Sequence, residues 1–187
     1  MRISKEPEVR KQEILDMAMK VFARKGYEAT TMKDIAKEAQ VVPGLCYHYF
    51  QNKQELYQTA MTQYAKKCSS AFTAVFQQQD LKLEQCLDMI EKIAVDQETE
   101  YSYKDFFDKE GNELFHQQLT QCMSKEIFPV MKKYLQCLAD RGEIQCSDTE
   151  MMAHFVWAAQ LEVILMEEIP MEDRMTFIRK MVNKLLK

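Results

Sequence analysis

The sequence predicts an all-α protein, and three observations predict it. Its 187 residues include only four Gly and four Pro, with long amphipathic runs between them. Apolar residues recur at helical spacing along nearly every run. One stretch, Thr30 to Leu56, reads as two short helices joined by a tight turn, following a longer first helix. The length is enough to bury a sizeable core, as one compact unit or two small domains. We divide the chain into an N-terminal three-helix, helix-turn-helix domain (residues 1–53) and a C-terminal helical domain (residues 54–187).

The first helix spans Glu8 to Lys25 and places Val9, Ile14, Leu15, Ala18, Val21 and Phe22 at helical spacing. Pro7 precedes it and Gly26 ends it, with Arg24 and Lys25 at its negative end. Arg2, Lys5, Arg10 and Lys11 either reach phosphates or form a solvated basic arm. Thr31 is placed to cap the second helix, because its hydroxyl can accept from backbone N–H groups that lack an intrahelical partner. Ile35, Ala36 and Ala39 share one face of that helix. Gln40 to Val42 make the turn, where a left-handed residue at Gln40 is strained for a side chain with a Cβ. Pro43 suits the first position of the third helix, where its missing N–H costs nothing. Cys46 and Phe50 lie four apart on the inner face, which leaves Pro43, Gly44, Leu45, Tyr47 and His48 available to a partner. Such a pair matches the helix-turn-helix whose second helix enters the DNA major groove.

A long fourth helix, about Gln54 to Gln79, follows with no Pro or Gly to interrupt it. It either carries a positional change between the two domains or merely connects them. A fifth runs from about Leu81 to Thr99. Glu100 to Asn112 is aromatic and aperiodic, and reads as a short helix and loops. Glu113 to Arg141 is helical, with Pro129 expected to kink or restart it near Glu126. Gly142 ends it as a left-handed cap. Ser147-Asp148-Thr149-Glu150 is a capping box for the next helix, to Glu168. That helix is apolar nearly all round, with Phe155, Ala159 and Met166 on one side and Trp157, Leu161 and Leu165 on another, so it needs cover on more than one face. The last helix, about Glu172 to Leu186, carries Met175, Ile178, Val182, Leu185 and Leu186 as one stripe. These two helices either complete an internal core or form a four-helix bundle with a second copy; Ile178 and Val182 are assigned to that contact.

The net charge of −4 divides unevenly. Residues 1–56 hold ten Lys/Arg against eight Asp/Glu, whereas residues 57–187 hold fifteen against twenty-one. The basic excess lies with the helix-turn-helix, as phosphate attraction requires. Met1 to Pro7 is charged and unlike a signal peptide, and the longest apolar run, Phe155 to Ala159, is too short to span a bilayer, so we expect a cytoplasmic protein without membrane contact. The six cysteines lack metal-ligand spacing and read as apolar fillers. The acidic residues and three histidines form no nucleophile–base arrangement, so no enzyme activity, metal or cofactor is expected.

The first 57 residues or so resemble the N-terminal DNA-binding domain of the tetracycline-repressor (TetR) family. The resemblance is carried by Ile14-Leu15, Ala18, Phe22, Gly26-Tyr27, Thr30-Thr31, Ile35-Ala36, Ala39, Val41, Gly44, Tyr47-His48-Tyr49-Phe50, Lys53 and Leu56. Three positions depart from the family pattern: Gln40 for a turn glycine, Val42 for a capping serine and Cys46 for a core leucine. The resemblance implies a homodimeric transcriptional regulator, usually a repressor, acting on a near-palindromic operator. It implies that Thr31, Tyr47, Tyr49 and Lys53 contact phosphates or backbone, and that Pro43, Gly44, Leu45 and His48 face the bases. Pro43 and Leu45 can touch thymine methyl groups, and His48 can offer a hydrogen bond.

The second domain is expected to hold a small apolar or amphipathic effector. Its candidate walls are Tyr101, Tyr103, Phe106, Phe107, Phe115 and Trp157, with His116, His154, Gln160 and Glu162 as polar groups. The alternative is a thiol-based redox sensor on the same frame.

Overall fold

The computed structural model describes residues 6–100, 113–164, 166 and 168–187. Among these, the regular structure is entirely helical. The helices are α1 (Pro7–Lys25), α2 (Met32–Glu38), α3 (Pro43–Tyr49), α4 (Lys53–Phe76), α5 (Leu83–Glu100), α6 (Glu113–Asp140), α7 (Thr149–Ile164) and α8 (Met171–Leu186). Contacts divide the chain into two units, and not by a single cut at residues 53/54. The first, the head, holds the described residues up to Lys67 and those of α6 up to Cys122; the second holds residues from Cys68 through α5 and from Met123 onward.

Local chemistry sets each boundary in the head. Pro7 opens α1, and the N–H of Gly26 closes it on the Phe22 carbonyl at 2.7 Å, with Gly26 at φ 78°. Thr31 caps α2 reciprocally: its Oγ1 accepts from the Asp34 N–H, and the Asp34 carboxylate accepts from the Thr31 N–H at 2.9 Å. Gln40 takes φ 54°, the left-handed turn that glycine adopts at lower cost. Pro43 opens α3, but Val42 before it offers no side-chain cap. Ile14, Leu15, Ala18, Val21 and Phe22 of α1, Ile35 and Ala36 of α2, Cys46 and Phe50 at α3, and Leu56 and Ala60 of α4 are all buried, forming the core of the head.

In the second unit, Val75, Phe76, Leu83, Cys86, Ile127, Met131, Tyr134, Leu138, Trp157, Ile178, Val182 and Leu186 belong to one apolar core. Three expectations are corrected here. Pro129 lies inside α6, which continues as one helix and does not restart near Glu126; Ile127 and Met131 on either side are buried. The cap of α7 is Asp148, whose Oδ1 accepts from the N–H groups of Glu150 and Met151 at 3.1 and 2.9 Å, and the helix ends at Ile164. Most important, Ile178 and Val182 do not face outward to a second copy. With Met175 and Leu186 they form the buried stripe of α8, which packs on α5 and α7. Arg179 reinforces the α5–α8 contact by pairing with Glu84, Asp88 and Glu91.

Candidate nucleic-acid interface

Two buried side chains aim the third helix. Cys46 and Phe50 point into the head, which turns the positions between them outward. Pro43, Gly44, Tyr47 and His48 are exposed, Tyr47 to 55%. Leu45 and Tyr49 are only half-exposed, so two residues expected at the interface sit at its edge. The His48 ring meets that of Tyr49 edge-on at 5.1 Å. A Cβ built on Gly44 meets nothing within 4 Å. The fold therefore places no demand for glycine there, although glycine weakens a helix.

Thr31 and Lys53 are engaged within the chain. The Thr31 hydroxyl donates to Asp34 Oδ2 at 2.7 Å and also receives the Asp34 N–H. Lys53 Nζ donates to the carbonyls of Tyr27 at 2.8 Å and Glu28 at 3.4 Å, and lies 4.2 Å from the centre of the Tyr27 ring. It clamps the start of α4 to the turn after α1. Asn52 and Glu55 finish the junction: Asn52 Oδ1 accepts from the Glu55 N–H at 2.9 Å, and Glu55 Oε2 from the Gln51 N–H at 2.7 Å.

Ion pairs brace α1 against α2. Lys25 meets Asp34 at 2.7 Å and Arg24 meets Glu38 at 2.8 Å. Hydrogen bonds from Lys25 and then Thr31 hold the Asp34 carboxyl far below its ordinary range. Arg24 likewise lowers Glu38. Arg10, expected to belong to a phosphate-reaching or solvated arm, pairs with Glu13 at 2.7 Å; Arg2 and Lys5 lie outside the described residues. Behind the interface, Tyr57 packs on Phe22 and Tyr27 and donates to Gln118, and burial pushes its hydroxyl up to about 12.

Comparison with known proteins decides what this head is. The family described as "Bacterial regulatory proteins, tetR family" matches residues 14–60. The head carries the TetR-family N-terminal domain. Among its relatives, the HTH-type transcriptional repressor KstR2 of Mycolicibacterium smegmatis is 39% identical over 51 residues, 27% of this chain and 25% of that protein. The HTH-type transcriptional regulator YuxN of Bacillus subtilis is 30% identical over 115 residues, 60% of this chain and 38% of that one. The likeness to these relatives thus spans about a quarter to two-fifths of their length. GusR of Salmonella enterica shares the fold over 97% of both chains, with a TM-score of 0.73 at 21% identity.

The described candidate effector residues divide between the two units. Tyr101, Tyr103, Phe106 and Phe107 lie outside the described residues, as does the side chain of Glu162. Phe115 and His116 belong to the head, where Phe115 is buried, whereas His154 and Trp157 belong to the second unit. Trp157 is buried and its Nε1 donates to Ser124 Oγ at 2.8 Å. His154 is exposed and lies against Phe128, ring centres 3.9 Å apart. Gln160 is half-exposed. A cleft of about 500 Å³ opens between α1 and α4, over Leu15, Met19 and Ala60, but none of the expected effector residues lines it. Among the described residues no group of acidic, His or Cys side chains is arranged to hold a metal ion, and no helix is long and apolar enough to cross a membrane.

The side chain that sequence reasoning missed is Val42. The family pattern reads it as a missing cap and a missing phosphate-facing hydroxyl, yet at 59% exposure it stands beside Pro43 at the start of the exposed face of α3. The signal was present: an uncapped, apolar residue immediately before an outward-facing helix.

Proposed function

We propose that this protein is a homodimeric DNA-binding transcriptional regulator, a repressor released by a small apolar or amphipathic effector. The observation that carries the reading is the outward face of α3: Pro43, Gly44, Tyr47 and His48 stand exposed together on a helix aimed by buried Cys46 and Phe50. Base edges are read by this face, and phosphate contacts fix its register. The exposed apolar side chains of α7 and α8 support the dimer: Met151 is 70% exposed, Phe155 58% and Phe177 51%. A second copy covering them presents two recognition helices about 34–36 Å apart, one turn of DNA, so the operator is near-palindromic. Release follows if the effector prefers the arrangement that does not fit the operator, since equal affinity for both shifts nothing.

The alternative is a thiol-based redox sensor on the same frame. Cys46, Cys68 and Cys86 are buried, and burial pushes the thiols of Cys46 and Cys86 up, that of Cys86 to about 11, away from the reactive thiolate, which leaves half-exposed Cys122, Cys137 and Cys146 as the thiols such a sensor would use. The test is to select duplex DNA from a random pool on the full chain, then compare wild type with Tyr47→Ala and His48→Ala. Both variants should fold normally and bind the selected duplex more weakly, and binding should fall steeply with salt. Unchanged affinity in both variants would refute the assignment.

A further inference from the structure

The recognition surface is chemically divided. Its first four residues, Val42, Pro43, Gly44 and Leu45, carry no side-chain hydrogen-bond donor or acceptor. Its later positions, Tyr47, His48, Gln51 and Asn52, all do. Val42 is the largest exposed apolar side chain of the first group besides Pro43. Its side chain makes no cap, and it is 59% exposed while Leu45 is half-buried. Pro43 beside it is exposed and locked at the first helical position, and Gly44 adds no bulk that would hold a partner away. Among the described residues, Val42 belongs neither to the buried core of the head nor to a cap.

On the reading that α3 binds DNA, we infer that Val42 is a specificity-determining residue that selects thymine at the end of each half-site facing the start of α3. In the major groove the only apolar feature on a base edge is the thymine C5-methyl group. A polar residue at position 42 would bond phosphate or a base edge; isopropyl and pyrrolidine side by side gain most where a methyl group completes their contact. The other half of the surface, Tyr47 and His48, reads or anchors through hydrogen bonds. The half-site is thus read by apolar contact at one end and by polar contact at the other.

The experiment uses the full chain and a duplex selected from a random pool. Each thymine is replaced in turn by deoxyuridine, which removes one methyl group and leaves base pairing intact. At the thymine facing α3's first turn, wild-type affinity should fall about fourfold per half-site, the worth of burying one methyl-sized group. Val42→Ala should bind the thymine duplex more weakly and lose most of its sensitivity to deoxyuridine there, while remaining sensitive elsewhere. Val42→Ser should relax the preference for thymine in a repeated selection without lowering thermal stability. A selected half-site lacking thymine, or deoxyuridine sensitivity unchanged in Val42→Ala, would overturn the inference while leaving DNA binding by α3 standing. Failure to select any duplex would instead overturn the reading on which it rests.

Discussion

The outward faces of α3 and α7 both expose apolar side chains, and they differ in what accompanies them. On α3, Val42 and Pro43 stand within a few residues of Tyr47 and His48. The apolar area is small and hydrogen-bonding groups lie on the same face. On α7, Met151 and Phe155 are followed by exposed Ala158 and Ala159, with His154 beside them. Water is a poor neighbour for both faces, but only the first can satisfy the polar edges of bases and the oxygens of phosphates. The second suits a surface as apolar as itself, as in a symmetric dimer. Apolar exposure alone therefore does not identify a partner; the polar groups mixed with it do.

The sharpest way to break this comparison uses two substitutions in the second unit. Ile178→Asp places a charge in the core and should unfold the protein, at a cost of about 4 kcal/mol or more. Phe155→Asp should leave helical circular dichroism intact and convert a dimer into a monomer by analytical ultracentrifugation. If Phe155→Asp remains a dimer, the α7 face has another purpose.

In the head, Tyr47→Ala should lower affinity for a selected duplex by about tenfold or more while leaving thermal stability unchanged. Lys53→Ala should act differently. It removes the hydrogen bonds to the Tyr27 and Glu28 carbonyls and the contact with the Tyr27 ring, and should cost roughly 1–3 kcal/mol of stability. Any loss of DNA affinity should track the loosened junction. Equal stability in both variants would show that Lys53 is only a phosphate contact.

Much of this contrast was legible in the sequence. Pro43, Cys46 and Phe50 are enough to place α3 and its inner face, and the family motif covers the same residues. Legibility fell where a side chain had two plausible partners. Periodicity groups Met175, Ile178, Val182, Leu185 and Leu186, but not whether the stripe meets its own chain or a second one. The structure buries Ile178 and Val182 and leaves Leu185 41% exposed. Lys53 is similar: a lysine near a recognition helix reads as a phosphate contact until the Tyr27 carbonyl, 26 residues away in sequence, is found beneath it. Phe115 and Trp157 were grouped as effector walls by composition alone, and composition does not say that they belong to different units.

A smaller effect separates fold from function at one atom. Gly44→Ala should leave stability unchanged or raise it by up to about 1 kcal/mol, since the added Cβ meets nothing and glycine is a poor helix former. DNA affinity should nevertheless fall in a binding titration. Smaller still is the acid response of the head. The folded state holds Asp34 far below its ordinary range, so it binds that proton less readily than the unfolded chain. The stability Asp34 contributes is therefore complete above the unfolded carboxylate pKa, about 4, and is lost as pH falls below it. Asp34→Asn should flatten that acid limb in melts recorded between pH 7 and pH 3.

The most direct test of the central claim, that α3's outward face reads DNA, is one titration series. A duplex selected on the wild-type chain is measured against wild type, Tyr47→Ala and Gly44→Ala at fixed salt, with thermal melts of the same preparations. The account predicts that both variants melt at or above the wild-type temperature and bind at least several-fold more weakly. Wild-type affinity in both would contradict it, because the only surface they alter would then be shown to touch nothing.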